Sequence, residues 1–219
     1  MIFPENCLAC NTELTNQEKH ICLFCNTSLK KTYFEGFSEA SALDKVFWGR
    51  IIISNTYAHF YFESNTPARK ILHELKYKHK PNLGVYFGEE IGKRLIQSAK
   101  IQTIDALIPV PLHHKKAFDR GYNQSEMLAK GIGSVLNVPV LNNIIQKISH
   151  TSSQTKKNKI ARWDNVSNIF ESKKLSNFKH VAIIDDVITT GSTTESLALE
   201  LKKVNPTIEI SIIALAFAK

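Results

Sequence analysis

One segment of this chain, residues 181–194, limits the possible folds more than any other. It reads Val-Ala-Ile-Ile-Asp-Asp-Val-Ile-Thr-Thr-Gly-Ser-Thr-Thr. The first four residues are apolar and predict a buried strand, which runs into two adjacent acids. Open α/β sheets bind ligands at the carboxyl ends of their strands, and a helix N-terminus after the strand binds anions. The segment therefore predicts a pocket with carboxylates for hydroxyl groups and a loop for a phosphate.

This segment resembles the binding signature for phosphoribosyl pyrophosphate (PRPP) in the type I phosphoribosyltransferases. The resemblance implies that Asp185 and Asp186 hold the ribose hydroxyls. It also implies that the 5′-phosphate is held by Thr189, Thr190, Gly191, Ser192 and Thr193. The alternative is a plain strand–turn–helix in which Ser192 caps the helix and Glu195 closes a capping box. That alternative does not explain why two acids end a buried strand.

The rest of the chain alternates between segments typical of strands and segments typical of helices. The predicted strands span residues 104–110, 144–145, 181–184 and 208–216. The predicted helices span residues 67–77, 85–98, 123–136 and the stretch from the signature loop to about 204. Residues 81–84 are expected to interrupt the helical segment between the first two helices. Residues 51–62 are expected to form a hairpin that turns near Ser54 and Asn55 or just beyond. This alternation predicts an α/β protein with a mostly parallel, doubly wound sheet.

The four cysteines of the chain predict a metal site near its beginning. They form two C-x2-C pairs, Cys7, Cys10, Cys22 and Cys25. Two such pairs present four thiolates to one zinc ion, which saturates the ion and makes it structural rather than catalytic. The alternatives are disulfides or free thiols, and a cytosolic location argues against disulfides; His20 is a possible substitute ligand. We predict a zinc-ribbon-like module over residues 1–45 and a second domain over residues 46–219.

Charge and hydropathy limit the partners of the chain. It has 219 residues, with 28 basic and 20 acidic side chains and a net charge of +8. This balance favours anionic partners such as phosphorylated metabolites, nucleic acid or a membrane surface, although a solvated basic surface explains it equally well. The apolar runs are shorter than the roughly 20 residues that span a bilayer, so no membrane insertion is expected. The first residues do not resemble a secretory signal, and a cytoplasmic location is the default expectation.

A cationic loop follows the predicted strand at residues 104–110. Residues 113–116 read His-His-Lys-Lys, and Arg120 comes next at the start of a helix. Cations at the carboxyl end of a strand suit a pyrophosphate, which Arg120 could contact through two hydrogen bonds. By analogy with the phosphoribosyltransferases this is the pyrophosphate loop, which adds Lys116 to the PRPP-binding residues and Arg120 to the catalytic residues Asp185 and Asp186. The alternative is that the lysines only solvate a loop.

A second basic segment precedes the signature strand. Residues 149–159 contain no aliphatic or aromatic side chain, and no acid occurs between Glu126 and Asp164. Type I phosphoribosyltransferases close a mobile loop over PRPP and so exclude water during the reaction. The segment is expected to be such a lid, with Lys156, Lys157, Lys159 and Arg162. The competing interpretation is a contact with nucleic acid in which Trp163 stacks on a base.

Together these motifs resemble the ComF-type competence proteins, in which an N-terminal zinc module is fused to a phosphoribosyltransferase-like domain. Besides the cysteine pairs and the signature loop, the resemblance rests on Leu75-Lys76-Tyr77, Pro109-Val110-Pro111-Leu112, Arg120-Gly121-Tyr122-Asn123-Gln124, Gln154-Thr155, Arg162 and Asn165-Val166. It implies a domain of the type I phosphoribosyltransferase kind that binds PRPP with magnesium, with residues 46–80 as part of a hood. A homodimer is common in this fold.

The family implies a role in natural transformation, in which incoming single-stranded DNA is handled in the cytoplasm. As an enzyme, the protein would transfer phosphoribosyl from PRPP to an unknown acceptor and release pyrophosphate. The alternative is a non-catalytic adaptor that binds PRPP or a nucleotide and contacts single-stranded DNA. A recognisable acceptor pocket would separate the two, and the sequence does not identify one.

Overall fold

The computed structural model describes residues 5–36, 38–98, 101, 103–112, 120–142, 145–147, 170–172, 175 and 177–218. In chain order its elements are α1 (Leu23–Thr27), a 3-10 turn (Phe34–Gly36), α2 (Asp44–Phe47), β1 (Asn55–Tyr61), α3 (Pro67–Tyr77), α4 (Pro81–Leu95), β2 (Ala106–Pro109), α5 (Gln124–Leu136), β3 (Ile145–Lys147), β4 (Phe170–Ser172), β5 (His180–Ile188), α6 (Ser192–Val204) and β6 (Glu209–Phe217).

A parallel sheet forms the centre of the described structure. Its strand order is β1-β6-β5-β2, and each neighbouring pair runs parallel. Val140 extends the sheet by a parallel bridge to Leu107, on the side of β2 that faces away from β5. Strands β3 and β4 pair antiparallel in a separate ribbon. The mostly parallel α/β sheet predicted from the sequence is confirmed.

Helices cover both faces of this sheet. The connections from β1 to β2 and from β2 to Val140 run in one direction across the sheet, and the connection from β5 to β6 runs in the other. Because such crossovers are right-handed, α3, α4 and α5 lie on one face and α6 lies on the opposite face. The packing of α4 against α5 agrees with this assignment. The sheet is therefore doubly wound, and its central strands are buried on both sides.

Helices α4 and α5 cross with their backbones in close contact. A Cβ atom added to Gly88 would lie 2.3 Å from the Leu128 carbonyl oxygen, and one added to Gly131 would lie 2.1 Å from the Val85 carbonyl oxygen. Both distances are far inside van der Waals contact, so only glycine fits at the crossing point. This crossing sets the position of α5, whose N-terminus borders the cavity described below.

Replacing Gly88 with alanine should push the two helices apart. We expect Gly88→Ala to lower the free energy of unfolding by about 1–3 kcal/mol, the usual cost of overpacking a core. The measurement is urea unfolding followed by circular dichroism. Gly36→Ala is the matched control, because a Cβ atom there meets nothing within 4 Å. Equal stability of the two variants would contradict the assigned crossing.

The predicted hairpin at residues 51–62 is wrong. The segment contains one strand, β1, which pairs parallel with β6 from Asn55 opposite Ser211 to Tyr61 opposite Phe217. The five central residues of β1 are all buried. Aromatic and β-branched residues fit a strand that is covered on both faces as well as they fit a hairpin, because the composition does not specify the partner strand.

Helix boundaries were predicted well where local chemistry decides them. Helix α3 has the predicted bounds, and Asn123 caps α5 by accepting a hydrogen bond from the Ser125 N–H at 3.1 Å. Helices α3 and α4 are separated as predicted, but at residues 78–80 and not at 81–84, since Pro81 lies in the first turn of α4, where proline is favoured. In the described part of the chain, no helix has both the length and the apolar composition needed to cross a bilayer.

The segment after the cysteine pairs is anchored to β1. Lys31 forms an antiparallel bridge with Phe60, and the Tyr61 N–H donates to the Lys30 carbonyl oxygen at 2.8 Å. The Lys31 ammonium lies 2.9 Å from Nε2 of the buried His59, and burial holds the pKa of His59 well below its usual value. The domain division at residue 45 stays a prediction. The assignment of residues 46–80 to a hood also stays a prediction. Strand β1 lies within these residues and belongs to the central sheet.

Candidate functional site

A cavity of about 220 Å³ lies at the carboxyl ends of β2 and β5. These strands are neighbours, but the chain leaves them in opposite directions, towards Val140 after β2 and towards β6 after β5. Open α/β sheets bind their ligands at this kind of switch point. The polar groups that border the cavity include Lys76, Arg120, Ser125, Asp185, Asp186 and Thr193.

The two adjacent acids lie in this cavity, as the sequence predicted for a strand end. Strand β5 continues through them to Ile188. Asp185 Oδ1 accepts hydrogen bonds from the Asp186 N–H at 2.8 Å and from the Ser125 hydroxyl at 3.5 Å. Asp186 Oδ2 forms an ion pair with the Lys76 ammonium at 3.1 Å. The first carboxyl group is therefore held by hydrogen bonds from the protein, and the second is balanced by a cation.

Burial raises the pKa of Asp185 to about 8. The carboxylate of Asp186 acts in the same direction as burial, the Asp186 N–H and the Lys76 ammonium act against it, and about 8 is the net result. Two carboxylates in one cavity repel each other, so one of them retains its proton at neutral pH. Asp185 then carries a proton that it can donate in a hydrogen bond, beside the ion pair between Asp186 and Lys76.

The raised pKa makes stability depend on pH. The pKa of Asp185 is about 8 in the folded chain and about 4 in the unfolded chain. Between about pH 4 and pH 8 the folded state therefore binds more protons than the unfolded state. The free energy of unfolding should therefore fall as pH rises through this window, by up to about 1.4 kcal/mol per pH unit. Asp185→Asn should lose this slope, because an amide does not ionise.

Urea unfolding of the wild type and of Asp185→Asn at pH 5.5, 7 and 8.5 measures this effect. As pH rises, the free energy of unfolding of the wild type should fall steadily relative to that of Asp185→Asn. Parallel stability curves would show that the carboxyl group is not buried in the way described.

The signature loop has a backbone that requires glycine. Gly191 has a φ of 72°, and a Cβ atom there would lie 2.8 Å from Cε1 of Phe47. The Thr190 and Ser192 hydroxyls lie 2.9 Å apart, and the Thr194 hydroxyl donates to the Gly191 carbonyl oxygen at 2.8 Å. Helix α6 starts at Ser192, so the N–H groups of its first turn have no partner within the helix, and Thr193 of this turn lines the cavity.

The capping-box alternative for this loop is wrong. Gly191 occupies the N-cap position of α6, and no side chain makes a capping hydrogen bond there. The carboxylate of Glu195 instead pairs with the guanidinium of Arg50. Arg50 also donates to the Thr190 carbonyl oxygen at 2.8 Å and to the Val46 carbonyl oxygen at 3.0 Å. Arg50 thus links the signature loop to α2, which contains Val46.

The motif at residues 120–124 joins α5 to the end of β2. Asn123 donates from its amide to the Val110 carbonyl oxygen at 3.0 Å, and the Tyr122 hydroxyl donates to the Leu75 carbonyl oxygen. Arg120 donates to the Gln124 side-chain oxygen at 2.9 Å. These contacts bring the N-terminus of α5 to the cavity and place Arg120 at its border, as the sequence predicted.

Two residues of the site were not assigned a role from the sequence. Lys76 belonged to one of the motifs, but nothing local indicated that it pairs with Asp186. Arg50 gave no signal, because its contact with Glu195 spans 145 positions. The predicted lid and the predicted loop lysine lie outside the described residues, together with the tryptophan proposed for stacking. They are Lys116, Lys156, Lys157, Lys159, Arg162 and Trp163.

The four cysteines form a cluster that fits a tetrahedral metal ion. Their sulfur atoms all lie within 4.8 Å of one another, and no disulfide joins them. The Cys10 and Cys22 sulfurs are 3.7 Å apart, close to the edge of about 3.8 Å that Zn–S bonds of about 2.3 Å imply. The Cys22 N–H points to the Cys7 sulfur at 3.3 Å, a contact that favours a thiolate.

Comparison with known proteins identifies relatives that are named for competence and for DNA utilization. The chain is 40% identical over 102 residues to Competence protein F of Haemophilus influenzae, which covers 45% of this chain and 44% of that protein. It is 25% identical over 154 residues to DNA utilization protein YhgH of Salmonella typhimurium, which covers 69% of this chain and 65% of that protein. The matched regions therefore span less than two thirds of either relative. The resemblance to the ComF-type competence proteins is confirmed.

No protein-family model matches the chain. Among solved structures, the chain is similar to a purine phosphoribosyltransferase from Pyrococcus horikoshii Ot3, with 17% sequence identity and a TM-score of 0.36. That similarity covers 63% of this chain and 82% of the other. It is too weak to carry an argument about function.

Proposed function

We propose that the cavity between β2 and β5 binds PRPP with magnesium, and that the protein transfers phosphoribosyl to an acceptor with release of pyrophosphate. The observation that carries the proposal is the content of one small cavity. It combines Asp185 and Asp186 with the N-terminus of α6 and with the cations Lys76 and Arg120. These groups match the three parts of PRPP, which are ribose hydroxyls, a 5′-phosphate and a pyrophosphate.

The two acids are suited to the ribose. Two neighbouring hydroxyl groups of a sugar can donate to Asp186 and exchange hydrogen bonds with Asp185. The ion pair between Lys76 and Asp186 would open when the hydroxyls arrive. During transfer, positive charge develops at C1 of the ribose, and a carboxylate beside the ring stabilises that charge.

The signature loop is suited to the 5′-phosphate. The N-terminus of α6 carries a partial positive charge, and its first N–H groups point out of the helix. The hydroxyls of Thr190, Ser192 and Thr193 add donors, and Thr189 begins the loop. Arg50 holds the backbone in place, so the loop needs little reorganisation on binding.

The cations are suited to the pyrophosphate. Arg120 and Lys76 border the cavity, and the sequence adds Lys116 and the predicted lid lysines. Carboxyl oxygens beside phosphate oxygens form the kind of hard ligand set that magnesium prefers. When bound, magnesium neutralises the charge on the leaving pyrophosphate. Arg120 would stabilise the charge that remains.

Calorimetric titration with PRPP tests this proposal. We expect binding that requires magnesium and that weakens at least about tenfold in Asp186→Asn, because one hydrogen bond to a charged group contributes about 1.5–3 kcal/mol. Glu209→Gln is the matched control. It removes one acid at the amino end of β6, at the opposite edge of the sheet. Unchanged affinity in Asp186→Asn, in protein that unfolds at the wild-type temperature, would count against the assignment.

We also propose a role in DNA uptake or natural transformation. Support comes from the relatives, whose names are Competence protein F and DNA utilization protein YhgH. These names refer to competence and to DNA utilization, and so the second candidate is a non-catalytic adaptor that binds PRPP or a nucleotide and contacts single-stranded DNA. Pyrophosphate release from PRPP with bases, nucleosides or single-stranded DNA as acceptors separates the two candidates. Binding of PRPP without release in every case supports the adaptor.

The cysteine cluster is proposed to hold one structural zinc ion. Elemental analysis of purified protein should give about one zinc per chain, and Cys22→Ser should lose the ion and lower the unfolding temperature. His20→Asn should keep the ion, because four cysteines complete the ligand set, and asparagine tolerates the φ of 60° at this position. Folded, metal-free wild-type protein would contradict the proposal.

A homodimer and a cytoplasmic location also stay predictions.

A further inference from the structure

The outward face of α3 carries a stripe of cationic and aromatic side chains. Arg69, His73 and Tyr77 follow one another at intervals of four residues, so they lie on one side of the helix. All three are exposed, with 59% of Tyr77 open to solvent. The rings of His73 and Tyr77 lie 5.1 Å apart between centroids and are inclined at 45°. An exposed pair of rings is unusual on a helix that otherwise buries its apolar side chains.

The stripe connects two cavities. At its start, Arg69 and His73 border a cleft of about 930 Å³ between α3 and the cysteine cluster. At its end, the guanidinium of Arg120 lies over the Tyr77 ring, 5.5 Å from the centroid. Arg120 also borders the cavity that contains Asp185. We call these four residues, Arg69, His73, Tyr77 and Arg120, the α3 stripe.

The helix side of the cleft favours an anionic group, because its described charged side chains are mainly cationic. Lys70 also lines it and donates to the Ala9 carbonyl oxygen at 2.7 Å. Glu74 is the one acid among the described lining residues, and the Lys80 ammonium pairs with it at 2.8 Å. On the helix side of the cleft Arg69 has no acid left to balance it, whereas four thiolates around one zinc ion would place a net negative charge on the opposite side. A phosphate group beside Arg69 would supply the missing negative charge.

We infer that the α3 stripe binds a single-stranded nucleic acid, with bases stacked on His73 and Tyr77 and with phosphates beside Arg69 and Arg120. Proteins that bind single strands combine cations that follow the backbone with aromatic rings on which bases stack. Only an unpaired strand has free base faces to offer, so a duplex would not use the two rings. This inference rests on the nucleic-acid role proposed above and assigns it to a surface. A strand bound there would pass the border of the PRPP cavity at Arg120.

The chain offers a matched control for the stacking contact. Tyr33 is also an exposed tyrosine, with 55% of its surface open, and the guanidinium of Arg94 lies 5.2 Å from its ring centroid. Tyr33 and Arg94 therefore repeat the local arrangement of Tyr77 and Arg120 but do not border either cavity. If exposed tyrosine–arginine pairs bound nucleic acid in general, both sites would contribute. The inference assigns the contribution to Tyr77 alone.

The test is fluorescence anisotropy with two labelled oligonucleotides of about 20 nucleotides, one of thymidines and one with abasic sites throughout. The abasic strand keeps the phosphates and removes the stacking faces. Tyr77→Leu should weaken binding of the thymidine strand about tenfold, within the range for stacking of a base on an aromatic ring. Its affinity for the abasic strand should change less than about twofold. Tyr33→Leu should leave both affinities at the wild-type level.

A second variant keeps the test decisive. Arg69→Gln should weaken binding of both strands and reduce the dependence of the affinity on salt, because it removes a phosphate contact. Equal affinities of Tyr77→Leu and Tyr33→Leu for the thymidine strand would overturn the inference. So would equal losses of Tyr77→Leu on the two strands, or no strand binding by the wild type. Strand binding is measured without PRPP and PRPP binding without a strand, so failure of one proposal is distinguishable from failure of the other.

Discussion

The structure depends on the parallel pairing of β5 between β2 and β6. Each strand contributes main-chain hydrogen bonds to its neighbour, and helices on both faces bury the apolar residues at the start of β5. The strand then runs into Asp185 and Asp186, which cannot be buried without partners. The protein meets this requirement with Ser125 from α5 and Lys76 from α3. The candidate site is therefore the place where a buried strand becomes polar.

Several elements meet at this strand end, and each is fixed by a contact that only certain residues allow. Gly88 and Gly131 let α4 and α5 cross closely enough to bring the N-terminus of α5 to the cavity. Gly191 lets the signature loop turn close to Phe47. Arg50 fixes the loop by donating a hydrogen bond to the carbonyl oxygen of Thr190. The site is thus built on the packed core of the sheet and not on a free loop. A site with so many fixed elements suits a ligand that contacts the protein through several of its groups at once.

Local chemistry predicted much of this arrangement from the sequence. The bounds of α3 and the cysteine cluster depend on residues close in the chain, and both were predicted correctly. The partner of β1 was not predicted, because a strand does not record which distant strand it pairs with. The contact between Arg50 and Glu195 was missed for the same reason, since 145 positions separate them. The sequence also indicated a capping box at Glu195, and a long-range ion pair took its place.

The central claim is that one cavity recognises the three parts of PRPP. A crystal structure of the zinc-loaded protein with magnesium and PRPP tests it most directly. We expect the 5′-phosphate within hydrogen-bond distance of the N–H groups of residues 190–193, the ribose hydroxyls on Asp185 and Asp186, and the pyrophosphate towards Arg120. A ligand bound elsewhere, or a cavity that keeps the pair between Lys76 and Asp186 at saturating PRPP, would contradict the account.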